Sequence, residues 1–171
     1  MMFPSPRQVF VSAALACTAL AAQAATVYAS SPVAQPERPT DNAYNVKFKA
    51  DAGPATLSFV IQGHDTIDGD NCCIDLFLLT VNDVHLFTGT WDLGGGGTNR
   101  TIFDSNGAQV TWYPTRREVA ITVPITLVQG RNRLQFTYES PSMFEGTARS
   151  GFEGIGNEGW SIGHITVTTP D

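Results

Sequence analysis

Positive charge is scarce in this sequence. Its 171 residues include 10 lysines and arginines against 16 aspartates and glutamates, which gives a formal net charge of −6. Nucleic-acid binding requires a basic face, and attraction to anionic lipid requires clustered lysine and arginine. The charge balance therefore argues against both partners. It suits an extracellular domain that binds cations or neutral polar ligands.

Long hydrophobic runs are also missing. The longest apolar stretch, residues 9–22, is shorter than the ~20 residues that a membrane-spanning helix needs. Arg7 precedes it, and Ala22-Gln23-Ala24 has the small-x-small pattern of a cleavage site. We predict a secretory signal peptide over residues 1–24, with an uncleaved anchor or a lipoprotein modified at Cys17 as alternatives. Residues 25–40, rich in Ala, Ser, Pro and Thr, are predicted to be a flexible leader. The mature chain would then be secreted, extracellular or periplasmic, and not attached to a membrane.

The sequence lacks the 3.6-residue apolar stripe of a long helix. Alternating apolar and polar residues recur instead, separated by turn residues, which is typical of β-strands. The segments lie at residues 44–49, 56–62, 76–81, 84–91, 110–113, 118–125, 131–138 and 160–168. Pro124 falls inside one of them, which places that strand at an edge or a bulge. We predict an all-β fold, a jelly-roll-like β-sandwich of about eight antiparallel strands, as a single domain over residues 41–171.

Catalytic motifs are absent from the sequence as well. No G-x-S-x-G elbow surrounds a serine, and the glutamates are candidates for a glycosidase pair by residue type only. His64 and His164 would face each other if their strands pair, but no third metal ligand is specified. The chain is therefore predicted to be non-catalytic, with no catalytic residues.

Cysteine is rare, and one of the three residues, Cys17, lies in the predicted signal peptide. Cys72 and Cys73 are adjacent, so a bond between them requires a strained turn. In an oxidising compartment we favour this vicinal disulfide. Two thiols, or bonds between molecules, are the alternatives. A redox role lacks the C-x-x-C spacing, and a zinc site lacks nearby partners.

Acidic residues, by contrast, are concentrated in residues 64–77, HDTIDGDNCCIDLF. Four aspartates, Asp65, Asp68, Asp70 and Asp75, fall within eleven positions. Crowded carboxylates repel one another, and hard oxygens at short irregular spacing suit Ca²⁺. The spacing is not that of an EF-hand. The alternative is a solvated turn in which aspartates cap backbone amides. Glycines 94–97 are either a second element that turns its carbonyls toward an ion or a sugar, or an ordinary mobile loop.

Four motifs in order carry a family resemblance: LSFVIQG at 57–63, DTIDGD at 65–70, DLFLLTVN at 75–82 and NEGWSIGHITV at 157–167. Together they resemble the calcium-binding jelly-roll domains of secreted and cell-surface bacterial proteins. The resemblance implies a calcium site in which Asp65, Asp68 and Asp70 form the first acidic loop. Asn157 and Glu158 match the acidic pair before the last strand. Asn157 replaces a carboxylate, which would lower the charge of the site and its affinity.

Strand pairing leads independently to the same grouping. The first and last core strands of a jelly roll commonly lie side by side, and the segments around Leu57 and Trp160 have compatible patterns. An antiparallel pairing would bring Asn157 and Glu158 toward the aspartate loop.

Three functions are compatible with these features. The first is a non-catalytic domain in which calcium shapes loops that bind an extracellular glycan or matrix component. Trp91 and Tyr113 are candidate ligand-binding aromatics, joined by Trp112 and Trp160, for which core packing is expected instead. The second is a small secreted polysaccharide hydrolase. The third is a structural surface or matrix protein without a small ligand.

Overall fold

The computed structural model describes residues 24–31, 37–40, 42–71, 73–140 and 158–170. The predicted signal peptide, apart from Ala24, lies outside the described residues, as do Cys72 and Asn157. No helix in the described part of the chain is long and apolar enough to cross a membrane. The predicted strands are all present, and three more accompany them. The strands are β1 Ala25–Ala29, β2 Arg38–Pro39, β3 Asn42–Ala50, β4 Gly53–Asp65, β5 Leu76–Val81, β6 Val84–Thr90, β7 Arg100–Asp104, β8 Gln109–Tyr113, β9 Glu118–Leu127, β10 Gly130–Glu139 and β11 Glu158–Thr169.

Two antiparallel sheets pack face to face. The first has the order β1-β11-β4-β9-β8, with β2 added to β11, and the second has the order β3-β10-β5-β6-β7. The chain changes sheet after β2, β3, β4, β7, β9 and β10. This arrangement confirms the predicted all-β, jelly-roll-like sandwich.

Alternating side chains build the core between the sheets. In β4, Leu57, Phe59 and Ile61 are buried while their neighbours point outward. Phe59 meets Phe136 of β10 edge-on, with ring centroids 5.0 Å apart, so aromatic residues join the two layers directly. β5, β9 and β10 likewise bury one face, because their side chains alternate with a period of two.

The leader predicted over residues 25–40 is not flexible throughout, and this prediction was wrong for the described part. Ala25–Ala29 forms β1 and pairs with the end of β11, and Arg38–Pro39 pairs with its start. Tyr28 also packs against Phe48, with ring centroids 5.4 Å apart. The open edge of β11 supplies hydrogen-bond partners that a short, weakly patterned segment cannot reveal by itself.

One of two finer predictions is confirmed by the strand register. β4 and β11 pair antiparallel, with Glu158 opposite Asp65 and Trp160 opposite Gly63. The prediction that the strand of Pro124 lies at an edge or a bulge was wrong, since β9 lies between β4 and β8 in regular register. Pro124 itself lies beyond Thr122, the last residue of β9 that pairs with β8, so no partner on that side requires the amide hydrogen that proline lacks.

Candidate metal centre

Three carboxylates from three separate segments meet at one end of the sandwich. Asp68 lies in the loop after β4, Asp75 directly precedes β5, and Glu158 begins β11. One oxygen of each lies within 4.8 Å of the others. Their exposed fractions are 8%, 0% and 6%. We call these three residues the acidic centre.

Hydrogen bonds within the aspartate loop hold two of these residues in place. The backbone N–H of Asp68 donates to Oδ2 of Asp75 over 2.7 Å, and the N–H of Asp75 donates to the carbonyl of Asp68 over 3.2 Å. The Asn71 amide donates to Oδ1 of Asp68 over 2.7 Å. The loop between Asp68 and Asp75 is thereby closed, with the carboxylates of these two residues turned inward.

Ser140 connects the loop to β11. Its hydroxyl contacts Oδ1 of Asp75 over 2.5 Å and Oε2 of Glu158 over 2.8 Å. A serine hydroxyl has one hydrogen and can donate it to only one of these oxygens at a time. The other contact is favourable only when a carboxyl is protonated or a cation lies between the oxygens. Thr40 adds a longer contact to Glu158 from the N-terminal side, at 3.4 Å.

Glycines 94–97 form the wall behind the aspartate loop. The N–H of Gly69 donates to the carbonyl of Gly96 over 2.7 Å, and the N–H of Gly95 donates to that of Ile67 over 3.1 Å. A Cβ atom at Gly95 would lie 2.4 Å from the carbonyl oxygen of Thr66 and 2.7 Å from Oδ1 of Asp68. The glycines therefore allow two backbones to pack together and exchange hydrogen bonds.

Burial and like charge perturb the carboxyl at the middle of the centre. Desolvation is the largest cause and raises the pKa of Asp75 to about 7, with the charges of Glu158 and Asp68 acting in the same direction. Hydrogen bonds from Ser140 and the Asp68 amide oppose the shift without cancelling it. Asp68 and Asp75 take part in none of the ion pairs among the described residues. Placing full negative charge on this centre is therefore costly in the absence of a cation.

Tyr138 places a buried hydroxyl near the charge of the acidic centre. Its side chain is fully buried, and its hydroxyl makes no hydrogen bond to any described group. Burial, followed by the charge of Asp75, raises the pKa of this hydroxyl well above its ordinary value. An orphaned buried hydroxyl costs about 1–3 kcal/mol. A water ligand of a bound ion would give it a partner.

The donor set fits a hard cation. The oxygens around the acidic centre belong to carboxylates, hydroxyls and a backbone carbonyl, and such ligands suit Ca²⁺ better than the softer metals that select nitrogen and sulfur. Cys73 is exposed, and His64 is engaged with Ser161 at 3.0 Å. The residues present thus fit calcium, with Asp68, Asp75 and Glu158 as the ligands that would hold it.

The structure distributes the predicted metal ligands unevenly. Asp68 and Glu158 belong to the acidic centre. Asp65 is opposite Glu158 in the β4–β11 ladder, whereas Asp70 forms an ion pair with Arg100 at 3.2 Å. Asn157 lies outside the described residues. Asp75 was absent from the predicted ligands, although it belongs to the same aspartate cluster and directly precedes an apolar strand, where a side chain facing the core would be buried.

The structure describes one residue of the adjacent cysteine pair. Cys73 is exposed, and its backbone N–H donates to the side-chain oxygen of Asn71 over 2.6 Å. Cys72 lies outside the described residues. The vicinal disulfide stays a prediction.

The aromatic predictions need two corrections. Trp91, a predicted ligand-binding residue, is only 2% exposed and stacks on Phe87 with ring centroids 6.1 Å apart. Gly89 makes room for it, since a Cβ there would lie 2.4 Å from the indole. Trp112, expected in the core, is 37% exposed, and its indole N–H donates to the carbonyl of Asp92 over 3.0 Å. Tyr113 is 40% exposed, and Trp160 is buried as expected.

Comparison with known proteins adds little to this geometry. No family model and no curated protein matches the chain. One structural neighbour is a crystal structure of dimeric latent PorU from Porphyromonas gingivalis, at a TM-score of 0.46 and 12% identity. The match covers 81% of this chain and 11% of that one. The interpretation of the acidic centre therefore rests on its own geometry.

Proposed function

We propose that this chain binds Ca²⁺ through Asp68, Asp75 and Glu158, and that the ion stabilises the loop end of the sandwich. The supporting observation is the convergence of three buried carboxylates within 4.8 Å. Two full charges at such a separation repel by roughly 3 kcal/mol at an effective dielectric constant of about 20. A divalent cation replaces this repulsion with attraction. Asp65 and Asn157, which neighbour Glu158 across the ladder and along the chain, are proposed as further ligands.

The ion would serve a structural purpose. Its three ligands belong to the aspartate loop, the start of β5 and the start of β11, so one ion would join segments that lie far apart in sequence. All three are buried, which leaves little room for a large ligand to reach the ion directly. An ion bound only by the folded chain raises its stability in proportion to the logarithm of ion concentration.

We further propose that the chain is exported, non-catalytic, and recognises extracellular carbohydrate or mediates adhesion. Trp112 offers an exposed indole, and the carbonyl of Asp92 fixes its position. Oδ1 of Asp92 accepts hydrogen bonds from Gly94 and Gly96, both at 3.0 Å. Gly96 in turn binds the aspartate loop. Calcium would therefore stabilise the segment around Asp92 and Gly96 that holds Trp112, the aromatic residue proposed to stack on a sugar.

A hydrolase is the weaker alternative. Glycosidases place two accessible carboxyl groups about 5–9.5 Å apart around a sugar. The acidic centre is too buried and too tightly grouped to enclose one. Carboxylates locked as calcium ligands would also be unfit to donate protons.

Thermal unfolding in millimolar calcium and in excess chelator tests the metal. We expect a higher midpoint with calcium, and identical midpoints would contradict the proposal. A glycan array probed under both conditions tests recognition. Trp112→Ala should weaken binding, whereas Phe103→Ala, an exposed aromatic stacked on His85, is the control. Product release would instead indicate a hydrolase, and self-association without glycan binding would indicate a matrix protein.

A further inference from the structure

The outer face of the second sheet concentrates the few basic residues of the chain. Lys47 and Lys49 of β3 stand opposite Arg133 and Arg131 of β10 in the antiparallel register. These four residues, which we call the basic ribbon, are four of the 10 lysines and arginines in the sequence. A chain with a net charge of −6 thus has one distinctly positive face.

Fold stability does not account for this grouping. Like charges directly opposite each other on neighbouring strands are destabilising. Arg133 is engaged, with its guanidinium 3.3 Å from Asp83 and 3.0 Å from the amide oxygen of Asn45. Lys47, Lys49 and Arg131 are exposed and take part in none of the ion pairs among the described residues. Three cations are therefore available to an external anion.

An open depression of about 360 Å³ lies at this face, and its described lining residues are Lys47, Phe48, Lys49 and Arg131. Three of these four described residues are cationic, so the chemistry of the depression favours an anionic group.

The neighbouring residues indicate the kind of anion. Continuing along the same face, the next cross-strand pair is Asn45 with Gln135, followed by Ala43 with Thr137. Amides and a hydroxyl hydrogen-bond to the hydroxyl groups of a sugar. These two pairs next to the basic ribbon contain no large aromatic or aliphatic side chain that would enter a lipid layer. The basic ribbon and the neutral polar pairs beside it form one row. Such a row is complementary to a linear polymer that carries both acidic groups and hydroxyls.

We propose that the basic ribbon binds an acidic polysaccharide through its carboxylate or sulfate groups. The proposal adds a second binding surface to the proposed calcium centre. The two sites are separate, because β10 begins at the basic ribbon and ends next to the acidic centre. Exposed charges control such binding, so it is sensitive to ionic strength. It does not require calcium as long as the chain is folded.

Titration with dextran sulfate and with polygalacturonate, in chelator and at low salt, tests the surface. Chelator prevents calcium from bridging carboxylates, and circular dichroism at the same temperature verifies that the chain is folded. We expect both polymers to bind, both to dissociate as salt approaches about 1 M, where screening extends over only ~3 Å, and neutral dextran not to bind. Absence of binding to both polymers, equal binding of neutral dextran, or stronger binding to phosphatidylglycerol vesicles would overturn the proposal.

Matched variants locate the binding. Lys49→Gln with Arg131→Gln removes two charges from the ribbon, and Arg116→Gln with Arg117→Gln removes two charges from the turn before β9. We expect the first double variant to weaken binding about fivefold or more and the second to have little effect. Equal losses would mean that overall charge alone is responsible, which would also overturn the proposal. This test and the test for calcium are independent. The protein could bind acidic polymers without any calcium-dependent change in melting temperature, and it could show that change without binding acidic polymers.

Discussion

The two ends of the second sheet both bury polar side chains, but they differ in the charge and the hydrogen bonding of those side chains. At one end, Asn132 is fully buried, and every part of its amide is engaged. Its oxygen accepts from Val128 N–H and from the Asn82 amide, both at 2.9 Å, and its nitrogen donates to the carbonyls of Val128 and Gly130. We call this set the amide end. It is neutral and complete within the chain.

The acidic centre is not neutral. Asp68 and Asp75 take part in none of the ion pairs among the described residues, Ser140 contacts two carboxylates with one hydrogen, and the Tyr138 hydroxyl has no partner among the described residues. A buried neutral network stabilises a fold under all solution conditions, whereas a buried charged one depends on what the solution supplies. One end should therefore respond to calcium and pH, and the other should not.

The largest effect is expected from breaking the amide end. Asn132→Ala removes four hydrogen bonds and leaves the buried polar groups of the turn unsatisfied, which should cost roughly 3 kcal/mol of unfolding free energy. Chemical denaturation measures the loss. It should be the same in calcium and in chelator, and a loss that appears only in chelator would show that the two ends are not independent.

Removing calcium should have the next largest effect. At a free ion concentration about 100 times the dissociation constant, binding contributes about 2.7 kcal/mol, which corresponds to a shift in melting temperature of the order of 10 °C. Asp75→Asn should abolish this shift while preserving the side-chain shape. Asp83→Asn, at the opposite end, should retain it in full. Loss of the shift in both variants would count against a specific site.

A pH titration of the chelated protein should give a second signature at the same centre, with stability falling as the pH rises. The folded-state pKa of Asp75 is about 7, above its ordinary value of 3.8, so folding favours the protonated carboxyl. The associated stability is complete below pH ~4 and is lost as the pH rises through about 7, with a slope of at most ~1.4 kcal/mol per pH unit. Melting temperatures between pH 5 and 8 measure it. In Asp75→Asn this decline should disappear, and an unchanged decline would assign it to another group.

The smallest effect is expected at Asp70. Its ion pair with Arg100 is largely solvent-exposed, so Asp70→Asn should cost less than about 1 kcal/mol. The calcium shift should survive, because the structure turns this carboxylate toward Arg100 instead of the acidic centre. Loss of the calcium-dependent shift in this variant would instead support the prediction from the sequence motif that Asp70 is a calcium ligand.

Local sequence patterns were sufficient for much of this molecule. Alternation located strands such as β4, β5 and β10 within a few residues, because a strand that buries one face must repeat every second residue. The same patterns predicted the β4–β11 pairing that brings Glu158 to the aspartate loop. They missed β1, β2 and β7. β1 and β2 are short and pair only because β11 offers an open edge, and β7 pairs with β6.

Burial and proximity were decided by the tertiary structure. The sequence places Asp70 and Asp75 in one acidic cluster, but only the fold directs one toward Arg100 and the other into the interior. It also buries Trp91, exposes Trp112, and collects scarce lysines and arginines on one face of an acidic protein. Composition and local periodicity describe averages and single segments, whereas burial and charge clustering depend on which segments become neighbours in the folded chain.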